Sequence, residues 1–184
     1  MPTIRPYQPK DKENVRHVCI MTGPAADKPK GPAWELELAC YCDYYVECEP
    51  QNCFVAADDD DEAVGYILGS EDYTRYRERF LRDYAPRVSG FVHWVKCQGS
   101  ARVPRMFAKD YPAHMHINIL EPYQRMGLGS QLVDALATNF HAKGIKGMML
   151  GVGAGNVKGR SFYTKYGFKK LLRLPGGIFM GLDL

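Results

Sequence analysis

The sequence lacks any hydrophobic run that approaches the ~18 residues of a membrane-spanning helix. Its N-terminal stretch has no apolar core of the kind that marks a signal peptide. The formal net charge is only +3, which is too small to indicate binding to nucleic acid or to a membrane surface. We therefore expect a cytoplasmic protein with neither nucleic-acid nor membrane partners.

Patterns for metal binding are also missing. Four of the six cysteines fall between residues 40 and 53, at spacings that match no zinc ribbon or finger. Because nothing indicates secretion, we expect reduced thiols and not disulfides. The acidic run at residues 58–62 lacks the alternating ligands and closing glutamate of a calcium loop, so we interpret it as a charged turn. No metal site is expected.

The length and composition are typical of one globular domain, residues 1–184, with 46% apolar and 24% charged residues. The apolar pattern predicts, in order, a strand (3–7), a helix (12–21), a second helix (34–46) and a strand hairpin (53–57 and 63–69). The acidic residues of the second helix are expected on a solvated face: Glu35, Glu37, Asp43 and Glu47.

The most informative stretch joins a strand to a helix through a glycine turn. Residues 113–120 alternate in polarity, which predicts a strand with one apolar face (Met115, Ile117, Ile119) and one polar face (His114, His116, Asn118). Apolar residues then recur every four positions from residue 128 to residue 140, which predicts an amphipathic helix. The turn between them is Gln124-Arg125-Met126-Gly127-Leu128-Gly129.

Such a junction can hold a pyrophosphate. The first N–H groups of a helix have no intrahelical partner, and the helix dipole adds positive charge there. Gly127 and Gly129 carry no Cβ, so a ligand can approach the backbone closely. No Gly-Lys-Ser/Thr follows, which excludes a P-loop, and Leu132 stands where a dinucleotide fingerprint needs glycine. A plain glycine-containing turn is the alternative.

A second block supports the ligand-binding interpretation. Residues 156–168 contain Asn156, and Tyr163 seven residues later is followed by Tyr166-Gly167-Phe168. Together the two blocks resemble the acyl-CoA loop and the later Asn…Tyr-x-x-x-Gly-Phe element of the GNAT acetyltransferases. The resemblance implies an α/β fold with a mixed, mostly antiparallel sheet of six to seven strands, splayed open near the fourth and fifth. It also implies acetyl transfer from acetyl-CoA to a primary amine in a ternary complex.

The resemblance assigns cofactor contacts residue by residue. The backbone of Ile119, Leu120 and Glu121 would pair with the pantetheine arm, and Asn156 would orient the cofactor or cap its helix. Tyr163 would lie beside the sulfur of the cofactor, whose thiolate it would protonate; a core tyrosine is the alternative. The cofactor-binding turn is expected to include Gln124, Arg125, Met126, Gly127, Leu128, Gly129 and Ser130.

We expect the base that accepts the amine proton to lie on the fourth strand. His116 is the best candidate there, because an ordinary imidazole is largely neutral at physiological pH. Packing of the histidines beneath the neighbouring segment is the alternative. The amide of Asn118 cannot act as a base, but it could position a water or the acceptor.

Residues 70–112 separate the third and fourth strands and are long for a connection. We interpret them as a helical lid over the acceptor cleft, with helices at 75–83 and near 103–109; a surface embellishment or a homodimer contact is the alternative. This insertion, followed by His114-x-His116-x-Asn118, resembles the C-terminal acetyltransferase-like domain of O-GlcNAcase and its bacterial relatives. The eukaryotic domains lack the glycine loop, whereas this chain keeps it. A rival function is a non-catalytic module that binds acetyl-CoA or a protein or peptide partner.

Overall fold

A computed structural model describes residues 1–184 as a seven-stranded sheet flanked by helices, with strand order β1-β2-β3-β4-β5-β7-β6. Neighbouring strands are antiparallel except β4 and β5, which are parallel. The strands are β1 (Thr3–Pro6), β2 (Cys53–Ala57), β3 (Ala63–Ser70), β4 (Ala113–Ile119), β5 (Gly147–Gly153), β6 (Lys169–Leu174) and β7 (Gly177–Asp183). This architecture confirms the predicted fold class and the mostly antiparallel, mixed sheet.

Seven α-helices cover the two faces of the sheet. They are α1 (Lys12–Thr22), α2 (Pro32–Leu38), α3 (Tyr44–Cys48), α4 (Tyr73–Arg79), α5 (Phe91–Ser100), α6 (Leu128–Ala142) and α7 (Val157–Tyr166). None of them has both the length and the hydrophobicity needed to cross a bilayer.

The helix predicted at residues 34–46 is observed as α2 and α3 joined by a π-helical turn, Ala39–Asp43. The expectation that its acidic residues share a solvated face is wrong for two of them: Glu37 and Asp43 are buried. A π-helical turn inserts an extra residue, so it rotates α3 relative to α2 and no single face runs along both helices. Asp43 is paired with Arg16 at 2.7 Å, whereas Glu37 has no such partner.

The insertion at residues 70–112 is helical but divided differently from the prediction. The helix predicted at 75–83 is observed as α4 followed by a π-helical turn, Phe80–Tyr84. The second helix is α5, and the helix expected near 103–109 is only a 3-10 turn, Pro104–Phe107. Tyr76, Phe80 and Cys97 are buried in the larger of the two hydrophobic cores, together with residues of α1 and β3. The insertion is therefore part of the core on one face of the sheet.

The centre of the sheet is open. Strands β4 and β5 pair only through Ala113 with Met148 and His114 with Met149, and they diverge beyond these two positions. The other face of the sheet is covered by α6, whose buried side chains form the second core: Leu128, Leu132, Val133, Leu136 and Phe140. The splay predicted near the fourth and fifth strands is thus confirmed.

Candidate active site

The turn between β4 and α6 has the backbone geometry of an anion-binding loop. Gly127 immediately precedes α6 with φ 79° and ψ −4°, a left-handed conformation that favours glycine. Arg125 also has a positive φ, 65°, which is uncommon for a residue with a side chain. No protein acceptor pairs with the backbone N–H groups of residues 125–130. Consecutive unpaired N–H groups at a helix start form a concavity suited to phosphate oxygens.

Carbonyl groups at the end of β4 are already hydrogen-bonded. The Gln124 side chain donates to the Ile119 carbonyl at 2.8 Å. The backbone N–H groups of Tyr123 and Gln124 donate to the carbonyls of Leu120 and Glu121 at 3.0 and 3.2 Å. The Leu120 N–H donates to Val64 of β3. Several backbone groups of the three residues expected to pair with the pantetheine arm therefore already have partners within the chain, because the chain turns sharply after Ile119.

Helix α7 lies against the start of α6. A Cβ on Gly129 would come within 3.2 Å of the Phe162 ring, so glycine at this position also allows the two helices to approach. Asn156 caps α7: its side-chain oxygen accepts a hydrogen bond from the Gly159 N–H at 2.8 Å. This is the capping role predicted for Asn156.

Tyr163 is half-buried on α7 next to Phe162. Its ring packs edge-on against Phe162 and Phe168, with centroid distances of 5.3 and 5.5 Å. Its hydroxyl makes no hydrogen bond to the protein. Burial raises the pKa of Tyr163 to about 12, so the phenol stays protonated throughout the physiological range.

The polar face of β4 points into a cluster of aromatic side chains. His114 is buried, and its Nε2 lies 2.7 Å from the Tyr45 hydroxyl, while its Nδ1 has no partner. The ring of His116 is edge-on to Tyr41, with centroids 4.8 Å apart. Burial lowers the pKa of His116 to about 4, and burial together with His116 lowers the pKa of His114 well below its usual value. Both rings are therefore neutral at pH 7, and each is a weaker base than an exposed imidazole.

Asn118 lies on the same face as the two histidines, nearer the end of β4. Its side-chain amide donates a hydrogen bond to the buried Tyr66 hydroxyl at 2.8 Å. This bond fixes the amide orientation and leaves the side-chain oxygen as the free acceptor.

A cavity of about 380 Å³ opens where β4 and β5 diverge. His114 and His116 lie in its wall, whereas Tyr163 and Asn118 do not. The insertion supplies five wall residues: Tyr73, Tyr76, Ser100, Ala101 and Pro104. No lysine, arginine, aspartate or glutamate lines this cavity.

The aromatic part of this wall was not predicted from the sequence. Tyr41 follows α2, and Tyr73 and Tyr76 belong to α4, yet all three line the cavity with the histidines. Their spacing in the sequence is that of ordinary buried helix positions, so only the tertiary contacts reveal them.

The architecture and the loop are similar to those of known proteins. The model of the Acetyltransferase (GNAT) family matches residues 21–168. Among solved structures, SsHAT is similar over 99% of this chain and 98% of its own, with 26% identity and a TM-score of 0.87. The polyamine N-acetyltransferase of Drosophila melanogaster, described as forming N-acetylagmatine, is 12% identical over all of both chains with a TM-score of 0.70.

PH1933 from Pyrococcus horikoshii OT3 is 17% identical over 100% of this chain and 99% of its own, with a TM-score of 0.67. At their low identities, the Drosophila and Pyrococcus proteins bear on the fold alone. The family match covers most of the sequence and includes both the glycine loop and Tyr163. The chain belongs to the Acetyltransferase (GNAT) family.

Proposed function

We propose that this protein transfers the acetyl group of acetyl-CoA to a primary amine while both are bound. The observation that carries the proposal is the row of unpaired N–H groups at residues 125–130, on the same strand-turn-helix unit as the cavity face of β4. Acetyl-CoA, the donor used by this family, supplies an acetyl group activated as a thioester.

The loop is assigned to the pyrophosphate. Its residues Gln124, Arg125, Met126, Gly127, Leu128, Gly129 and Ser130 present the unpaired N–H groups or shape the turn that aligns them. Arg125 is exposed and makes no ion pair with the protein, so its guanidinium is free to bind a phosphate oxygen. The carbonyls of Ile119, Leu120 and Glu121 each retain a second lone pair, through which this segment could still bind the pantetheine arm. Asn156 contributes by fixing the start of α7.

The chemistry needs one proton removed and one supplied. A C–N bond forms between the acceptor and the acetyl carbon as the C–S bond breaks. We assign removal of the amine proton to His116, whose ring nitrogens make no hydrogen bond within the protein and whose wall position faces the cavity. We assign protonation of the departing thiolate to the free hydroxyl of Tyr163. With a pKa of about 12 this phenol is a weak acid, so its donation relies on the high basicity of a thiolate in a site shielded from water.

We also propose a closer relationship to one group within the family. The insertion that precedes β4, together with His114, His116 and Asn118 on that strand, supports a relationship to the bacterial relatives of the O-GlcNAcase C-terminal domain. Asn118 is then assigned to positioning the acceptor through its free side-chain oxygen. We further propose that residues 1–184 act as a single domain, in which residues 70–112 shape the acceptor cleft.

A binding module without turnover is the second candidate. It is favoured by the weakness of the proton-transfer groups on β4: His116 has its pKa lowered to about 4, and Asn118 is an amide. Isothermal titration with acetyl-CoA, followed by product analysis on a panel of primary amines, separates the two functions. Acetylated amine formed in proportion to enzyme supports transfer, whereas tight binding with no product supports the binding module. Absence of acetyl-CoA binding contradicts both.

A further inference from the structure

A second cavity, of about 360 Å³, adjoins the first. The two share Cys40, Tyr41 and Ser100 in their walls. The second cavity is bounded by α2, by α5 of the insertion and by the loop after α1. It thus extends the acceptor cleft away from β5 and toward the protein surface.

Glu37 of α2 is the only carboxylate in the wall of either cavity. It is 7% exposed and has neither a hydrogen bond nor an ion pair. Its carboxyl group lies against Gly23, where an added Cβ would come within 2.3 Å of Oε1. Burial raises the pKa of Glu37 to about 7, so the group is substantially ionised at pH 8. A buried carboxylate without a partner is costly, and this one faces an open space large enough for a cation.

The protein does not itself supply that cation. Lys28 and Lys96 also line the second cavity, but both side chains are exposed and neither lies within 4.0 Å of the carboxylate. His93 is the remaining basic wall residue and makes no hydrogen bond to Glu37. The site therefore combines a buried anion, an adjoining cavity and no internal counter-ion.

Tyr41 connects this site to the proposed acetyl transfer. It lines both cavities, the first together with His116 and the second together with Glu37. Its ring lies 4.8 Å from the His116 ring, and Glu37 is four residues before it in the sequence. One continuous wall therefore joins the imidazole to the carboxylate, and an acceptor whose reacting amine lies at His116 would follow it to Glu37 with a short aliphatic chain.

We propose that Glu37 binds a second cationic group of the acceptor, and that the acceptor class is therefore a short aliphatic diamine. One amino group reacts beside His116, while the other remains protonated and pairs with the Glu37 carboxylate. The aromatic wall between them contacts the methylene chain. This inference rests on the proposed function, because it names the substrate of that same site.

The test compares α,ω-diaminopentane with n-pentylamine, which has the same chain but one amine. Assays at pH 8 use the wild-type protein, Glu37→Gln and the control Asp27→Asn, which removes an exposed carboxylate next in sequence to the wall residue Lys28. We expect the wild type to prefer the diamine at least tenfold in kcat/KM, and Glu37→Gln to lose that preference with pentylamine changed less than twofold. Asp27→Asn should behave as the wild type. An equal effect of Glu37→Gln on both amines, or no effect on either, overturns the inference.

A binding measurement tests the role of Glu37 independently of acetyl transfer. Calorimetric titration of diaminopentane into the protein should show binding that weakens at least tenfold in Glu37→Gln. Binding should also weaken from pH 8 to pH 6 as Glu37 becomes protonated, with Lys28, His93, Lys96, Cys40 and Tyr41 as the other titratable groups around the cavity. If the wild type transfers acetyl to neither amine, the proposed function fails, and this titration still decides on Glu37. No binding to the wild type, or equal binding to Glu37→Gln, overturns the inference.

Discussion

The two sides of β4 are built in different ways. The loop side comprises residues 119–130 and the start of α6, and it presents unpaired backbone N–H groups in a conformation that has two positive φ angles. The cavity side comprises the face of His114 and His116 with the tyrosines around it, and it is built from side chains of segments far apart in sequence. The first depends on backbone conformation and the second on side-chain burial. Substitutions that change the backbone conformation should therefore affect the loop side most, and substitutions that change side-chain burial should affect the cavity side most.

Tyr163→Phe should have the largest effect; Tyr163 belongs to α7, which packs against the loop side at Gly129. The variant keeps the ring contacts with Phe162 and Phe168 and removes only the hydroxyl. If that hydroxyl protonates the thiolate, kcat falls by roughly 10²-fold or more, while the KM for acetyl-CoA changes much less. Steady-state kinetics with an active amine measure both parameters. Tyr166→Phe is the matched control, because it removes a hydroxyl of the same helix that is bonded to Asp134 at 2.5 Å.

The pH dependence of kcat also tests the role of Tyr163. Because the pKa of Tyr163 is raised to about 12, kcat should not fall from pH 8 to pH 10 through loss of this proton. An unchanged kcat in Tyr163→Phe would mean that solvent protonates the thiolate, and Tyr163 would then be a packing residue alone.

Gly127→Val should have the next largest effect. A branched side chain at φ 79° is strained and stands where a phosphate would approach the loop. We expect at least a tenfold loss of acetyl-CoA affinity, about 1.4 kcal/mol, measured by calorimetric titration. Gly144→Val controls for the strain, since Gly144 has φ 71° just beyond the end of α6 and an added Cβ meets nothing within 4 Å. Equal losses of affinity in both variants would show that strain, and not the loop, weakens binding.

The difference between the two sides explains what the sequence could predict. On the loop side, the requirement for a positive φ selects glycine, so the position of Gly127 was visible in the sequence. The left-handed Arg125 was not, because its conformation depends on the turn around it. On the cavity side, the alternation along β4 predicted which face carries His116, but not what covers that face. Glu37 was assigned to solvent because helical periodicity takes no account of the π-helical turn that follows it.

His116→Gln tests the cavity side, because it should change how the free energy of unfolding depends on pH. The folded-state pKa of about 4 lies below the ordinary 6.5, so the unfolded chain binds the proton first as the pH falls. The stability from this group is complete above pH 6.5 and decreases toward pH 4, by about 1.4 kcal/mol per pH unit. Urea unfolding at pH 7.5 and 5 should show a smaller acid loss in His116→Gln than in the wild type. The exposed His141→Gln should leave the wild-type dependence unchanged; an equal acid loss in all three proteins would contradict the burial argument.

Asn156→Ala should have the smallest effect. It removes the cap bond to Gly159 and should lower the free energy of unfolding by about 1 kcal/mol. Asn156→Ser restores a capping oxygen and should recover most of that loss in denaturant unfolding. If acetyl-CoA affinity falls equally in both variants, Asn156 contacts the cofactor in addition to its cap.

The divergence of β4 and β5 gives the sheet an edge in its interior. Beyond His114, one side of β4 has no neighbouring strand, although β1 and β6 are the outermost strands. An open edge ordinarily favours pairing with another chain, but this one borders the cavity of about 380 Å³ between the two strands. The two halves of the sheet are joined there by two residue pairs. A ligand held between them would act as a structural cross-link, and at a concentration 100 times its Kd it would stabilise the fold by about 2.7 kcal/mol.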